Sequence, residues 1–208
     1  EKKIHDAITT KIKYFAKNDY LKNIDLIKKI QRARIIRLRQ ICSYAKNLIT
    51  AIPPDLRQGD ENLLNDQDLK NLIAKYDLNE KPAKIFKLKY LSKKLISKGE
   101  KILIWSTHLK TIDLIKKELS NEGINIAKIT GKTKLNEREE IKDEFNDSFS
   151  NLNAIIAIPQ ACSESISLHK ACHHGIYYDM NYNTSEFLQS LDRIHRVGGS
   201  EKNPVFYY

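Results

Sequence analysis

Seven glycines in 208 residues are few, and none completes a Gly-x-x-x-x-Gly-Lys-Ser/Thr loop that cradles phosphates. Gly131-Lys132-Thr133 supplies only the end of that pattern, because position 126, where its first glycine belongs, is an isoleucine. Neither acidic pair, Asp60-Glu61 nor Asp143-Glu144, falls at the end of an expected strand, where a magnesium-binding acidic box belongs. The chain thus lacks the groups that hold a nucleoside triphosphate and its magnesium ion. Three cysteines, Cys42, Cys162 and Cys172, are odd in number and widely spaced, which fits reduced thiols better than a disulfide framework. With His169, His173 and His174 they also lack the tight Cys-x-x-Cys and His-x-x-x-His pairs of a zinc site, so no metal is expected. No apolar run approaches the roughly 20 residues that cross a bilayer, and no signal-like segment opens the chain. A cytoplasmic protein with no membrane partner is expected.

What is present is hydrophobic content of 41%, enough for a core, and a formal charge of +10 with a pI near 9.3. Such a charge points to a polyanion such as nucleic acid. The chain opens on Glu1 inside a helical pattern and closes on Pro204–Tyr208, which reads as a strand, so it is expected to be one piece of a longer protein.

Two patterns divide it. From Ile4 to Ile49 apolar residues recur at helical intervals, predicting two or three helices with a break near Asn18-Asp19 and a stop at Pro53-Pro54. Arg32, Arg34, Arg37 and Arg39 spread around their helix and read as a solvated basic surface. Asp55–Lys81 reads as a connector with one short helix, so residues 1–81 form a helical subdomain and connector. From Pro82 to Tyr208 helices and strands alternate. Helices are expected at Ala83–Ser97, Leu109–Ser120 and Leu135–Asn146, with Gly99 as a left-handed stop after the first. Strands are expected at Ile102–Trp105, Ile124–Ile129, Ala154–Ile158, Ile176–Asp179 and the carboxyl end. Crossover helices between strands imply an α/β fold with a mainly parallel sheet and helices on both faces. Ligands of such sheets bind at the carboxyl ends of the strands, where Ser106, Thr107, Thr130 and Gly131 lie.

The most informative stretch is Gln189-Ser-Leu-Asp192-Arg193-Ile-His195-Arg196-Val-Gly198. At about 100° per residue, Gln189, Arg193 and Arg196 of a helix would share a stripe roughly 60° wide, with Phe187, Leu191 and Ile194 opposite. A glutamine and two guanidinium forks form a donor array suited to phosphate oxygens, although the same spacing also describes an ordinary solvated face. His195 lies off the stripe and reads as structural, while Asp192 beside it is placed to orient Arg193.

This stretch resembles the last helicase motif of superfamily 2, in the form Gln-x-x-Asp-Arg-Ile-His-Arg-x-Gly typical of Swi/Snf-like ATPases. Leu38-Arg-Gln-Ile-Cys42 is similar to the family's Leu-Arg-Gln-Ile-Cys-x-His-Pro, with Tyr44 and Ala45 in place of His-Pro. Lys101–Thr107 resembles its motif IV strand, and Ile129-Thr-Gly131-Lys-Thr133 with Arg138 resembles its Asp-Gly-x-Thr...Arg segment. Motif V, usually Ala-Gly-Gly-x-Gly-hydrophobic-Asn-Leu, is matched by Ala161-Cys-Ser-Glu164-Ser165-Ile-Ser167-Leu168, where every glycine is replaced.

The resemblance implies that 82–208 is the second RecA-like lobe of a helicase motor and 1–81 its helical protrusion. It implies an arginine-finger role for Arg193 and Arg196, nucleotide contacts from Gln189, Asp192, Glu164 and Ser165, and nucleic-acid contacts from Ser106, Thr107 and Lys132. ATP and Mg²⁺ would be held mainly by a first RecA-like lobe of the same protein, absent from this chain, and double-stranded DNA would be the track. The other reading is a catalytically silent nucleic-acid-binding or scaffold module that keeps the fold.

Overall fold

The computed structural model describes residues 2, 3, 5–7, 9, 10, 35–49, 75, 80–162, 166–180, 182–196 and 203–208. The chain divides into two compact units, Glu1–Pro82 and Ala83–Tyr208.

In the first unit residues 35–43 are helical and a short helix, Lys46–Ile49, follows. Ile41, Tyr44 and Ala45 are buried, so the two residues that stand where the resembled segment has His-Pro serve packing. Arg37 corrects the solvated-surface reading. It is buried, and its Nη1 donates to Gln40 Oε1 at 3.0 Å, so the charge is carried inward with an amide partner. The break at Asn18-Asp19, the stop at Pro53-Pro54, Arg32, Arg34 and nearly all of the connector expected over 55–81 lie outside the described residues.

The second unit runs α1 (Ala83–Ile96), β1 (Lys101–Trp105), α2 (Leu109–Ser120), β2 (Ile126–Ile129), α3 (Leu135–Asn146), β3 (Ala154–Ala157), a 3₁₀ turn (Pro159–Cys162), β4 (Cys172–Tyr177), α4 (Thr184–Leu191) and β5 (Phe206–Tyr207). The strands are all parallel in the order β2-β3-β1-β4-β5. Alternation along β1 explains the layering. Ile102 and Ile104 join Ile85, Leu88, Ile112 and Ile115 of α1 and α2 on one face. Leu103 and Trp105 join Phe145 of α3, Cys162, Leu168 and Ile194 on the other. Burial on both faces is why β1 and β3 read as continuous apolar runs. Gly99 and Gly123 adopt φ of 81° and 78°. After each, the chain closes back on its helix, Glu100 N donating to Leu95 O at 3.2 Å and Ile124 N to Leu119 O at 3.1 Å.

Three boundaries differ from the expectation by more than one residue. The strand expected from Ile124 begins at Ile126, since Ile124 is taken by the helix closure. The strand expected over Ile176–Asp179 is Cys172–Tyr177. His173-His174-Gly175 hides it from hydrophobic patterning, yet pairing with β1, where His174 sits opposite Ile102, recruits these residues. The arginine helix stops at Leu191. Arg193 N and Ile194 N bond three residues back, to Ser190 O and Leu191 O, so the last turn tightens before Arg196 is reached. The single helical stripe through Gln189, Arg193 and Arg196 is therefore replaced by a helix end followed by a turn.

Candidate functional site

The connection leaving β1 runs to β2 on one side and the connection leaving β4 runs to β5 on the other, so the carboxyl ends of these adjacent strands form the switch point at which such sheets bind ligands. Asp179, just beyond β4, ties the two strand ends together. Its Oδ2 accepts from Ser106 Oγ at 2.8 Å, and its Oδ1 accepts from Thr107 N at 2.8 Å and Thr107 Oγ1 at 2.5 Å. Ser106 has 0% of its surface exposed. The expectation that Ser106 donates directly to nucleic acid is thereby corrected: its hydroxyl is committed inward, and its part is to fix the loop that carries the half-buried Thr107. Asp179 was not singled out from sequence. The available signal was a lone carboxylate ending an apolar strand, which patterning alone does not separate from an ordinary loop aspartate.

Beyond β2, Thr130 N donates to Thr133 Oγ1 at 3.0 Å and Lys132 N to Thr130 Oγ1 at 3.3 Å. This turn leaves Gly131 and Lys132 exposed. Lys116, Lys128 and Lys132 border a depression of about 430 Å³ beside it, with Asp113 and Glu137 on the same rim.

Two arginines lock the remaining loops. Arg138 Nε donates to Thr133 O at 2.9 Å, Nη2 to Thr130 O at 3.3 Å and Nη1 to Ala161 O at 2.6 Å, tying the β2 exit to the turn after β3. Arg193 Nε donates to Gln189 O at 3.1 Å and Nη1 to Ile166 O at 3.5 Å, while its own carbonyl accepts from Leu168 N at 2.9 Å. The orienting bond expected from Asp192 is thus replaced by backbone carbonyls. Ser163, Glu164 and Ser165 lie outside the described residues, but Ala161 and Ile166 on either side are held by these two guanidinium groups.

The arginine turn is seated from below. Ile194 is buried in the core, Tyr207 hydroxyl donates to Leu191 O at 2.9 Å, and Tyr177 and Ser190 hydroxyls meet at 2.5 Å. Gln189, Asp192, His195 and Arg196 are exposed. Arg196 lies within electrostatic reach of His169, whose pKa is lowered by partial burial first and then by Arg196 and Lys170. Arg193 and Arg196 therefore both lie by the segment Ile166–His169, which takes in the end of the Ala161–Leu168 stretch and the residue after it.

Burial pushes the Cys162 and Cys172 thiols up to about 12, despite Arg138 and Arg193 near Cys162 and Lys101 near Cys172. Cys172 Sγ sits 3.4 Å from Lys101 O, and His174 stacks on Phe206. No group of three or more His, Cys, Asp or Glu among the described residues is arranged to hold a metal, and no described helix is long and apolar enough to cross a membrane. Near neutral pH a thiol reagent should modify exposed Cys42 rapidly and the two buried thiols only on unfolding, read as labelling stoichiometry by mass spectrometry. Since their folded pKa lies above the unfolded value near 8.5, their neutral burial favours the fold below that value and the contribution fades as pH rises towards about 12.

A parallel sheet with helices on both faces and an arginine turn at its carboxyl edge is the architecture of a C-terminal helicase lobe. Residues 83–198 match the helicase conserved C-terminal domain, and the chain belongs to that family, in its Swi/Snf-like branch of superfamily 2. It is 29% identical over 178 residues to the ATP-dependent DNA helicase DDM1 of Arabidopsis thaliana, covering 84% of this chain and 20% of that protein. Over 160 residues it is 26% identical to the ATP-dependent helicase fft3 of Schizosaccharomyces pombe, covering 72% of this chain and 17% of that protein. The crystal structure of the C-terminal part of the Fun30 ATPase domain resembles it with a TM-score of 0.67 at 23% identity, over 99% of this chain and 79% of that one, a likeness of fold. The chain spans a fifth or less of the length of these curated relatives.

Proposed function

We propose that the chain is the carboxyl-terminal motor lobe of an ATP-driven translocase on double-stranded DNA. The observation that carries this reading is the joint bracing of the carboxyl-edge loops. Arg138 links the Lys132 turn to Ala161, the first residue of the motif V segment, and Arg193 links Ile166, within that segment, to the Arg196 turn. ATP, with Mg²⁺, would supply the phosphoryl group whose hydrolysis drives the cycle, held mainly by a first lobe. The donor set here suits the complementary half. Arg196 is exposed, and Arg193, with Nε and Nη1 on carbonyls, has no partner for Nη2 among the described residues, which suits an anion. Gln189 and Asp192 stand exposed at the same helix end, and Glu164 and Ser165 belong to the segment the two arginines bracket. On closure Arg196 would meet the charge that spreads onto the transferred phosphoryl oxygens, in a site from which water is excluded. Thr107 and Lys132 would contact the DNA backbone, with Ser106 and Asp179 holding the Thr107 loop. The second reading, a silent DNA-binding or scaffold module, draws on the loss of every glycine from the motif V segment, which removes a route for close backbone approach to phosphate.

Binding of the whole protein to duplex DNA should be insensitive to sequence and strongly salt-dependent. Lys132→Ala should lower the slope of log K against log salt by about 0.9, one phosphate contact. An unchanged slope, measured by fluorescence anisotropy across a salt series, removes Lys132 from the track.

A further inference from the structure

Helix α1 carries lysines in two opposite settings. On the side facing α2, Lys89 meets Glu122 at 2.6 Å and Glu118 at 3.4 Å, and Lys93 meets Glu122 at 2.8 Å. Around the helix, Lys84, Lys87, Leu91 and Lys94 recur at steps of three and four, which sets them in one stripe, and Lys98 follows in the turn beyond the helix. None of these four lysines forms an ion pair with a carboxylate among the described residues, and all four are exposed.

Beside this stripe opens a groove of about 520 Å³ with Leu88, Leu91 and Ile176 in its floor and Tyr90 and Tyr208 in its walls. Tyr90 is 61% exposed. The Lys87 ammonium stands 5.6 Å from the Tyr90 ring centroid, and that of Lys84 5.6 Å from the Tyr178 ring centroid, so the rim cations lean over the apolar surface. A phosphodiester backbone laid on that aliphatic floor would lose water without gaining donors there. An apolar side chain gains from the same floor, and carboxylates flanking it would neutralise the lysine row. Lys84 to Lys94 spans ten helical steps, about 15 Å.

We infer that this groove docks an acidic amphipathic helix of a protein partner, about three turns long, with aliphatic or aromatic anchors between Tyr90 and Tyr208 and glutamate or aspartate against Lys84, Lys87 and Lys94. The mode is a helix laid in a groove. Ile176 and Tyr178 flank the end of β4 next to Asp179, so the occupant touches the strand that holds the Thr107 loop.

The test uses the whole protein and a fluorescein-labelled synthetic peptide in which Leu-Glu-Glu-Leu-Leu-Glu-Glu is repeated to about three turns. Saturable binding by anisotropy is expected, weakened about tenfold by Lys87→Glu with Lys94→Glu, and comparably by Tyr90→Ala. The matched pair Lys116→Glu with Lys117→Glu, exposed on α2, should leave it unchanged. All these side chains are exposed, so the fold is expected to survive, and melting curves check it. Absence of saturable binding, or equal binding by the groove pair and the α2 pair, overturns the inference. A groove pair that loses duplex DNA affinity while keeping the peptide makes the surface a nucleic-acid contact and overturns it as well.

Discussion

Arg196→Ala in the whole protein should cut DNA-stimulated ATP turnover on the order of 10³-fold while leaving melting temperature and duplex affinity nearly unchanged. The size follows from the role proposed for it, neutralising charge on a transferred phosphoryl group. The stability expectation follows from structure. Arg196 is exposed, whereas the turn that carries it is anchored by the buried Ile194 side chain and by the Tyr207 hydrogen bond to Leu191 O. Arg196→Lys should rescue little, because an ammonium offers a point charge in place of a planar fork. Near-normal turnover in Arg196→Ala removes the finger assignment, and turnover lost together with the fold makes the residue structural.

The second large effect belongs to Arg138. Its guanidinium satisfies carbonyls of Thr130, Thr133 and Ala161 at once. Arg138→Ala takes a donor from each of three carbonyls, of which Thr130 O keeps Thr133 N at 3.0 Å, and should destabilise the protein by roughly 2 kcal/mol, a fall in melting temperature of roughly 8 °C. Well below that melt, DNA-stimulated turnover should fall more than turnover without DNA, because the Lys132 turn and the motif V flank no longer move as one body. Arg138→Lys can remake one bond of the three and should recover only part of either quantity. Equal loss of both turnovers, or no change in melting, counts against a positioning role.

The alternating elements of residues 83–208 were legible because their apolar runs are short, bounded and separated by amphipathic helices. The ends of α2 and α3 follow from the sequence, and α1 falls one residue short of its expected end. β4 was only half legible, since His173, His174 and Gly175 carry no hydrophobic signal and join the sheet through backbone pairing. The arginine motif was legible as chemistry and misread as geometry. Helical arithmetic assumes that the helix continues, and here bonds to residues three back end it at Leu191. Asp179 and the inward turn of Ser106 were invisible because each depends on a partner more than seventy residues away.

The central claim, ATP-driven movement along duplex DNA, is tested most directly by triplex displacement with the whole protein. The account predicts that a third strand is released when ATP is hydrolysed, is retained with a non-hydrolysable analogue, and is retained with ATP when Arg196 is alanine although DNA is still bound. Release that needs no ATP hydrolysis, or release undiminished in the Arg196→Ala protein, would contradict it.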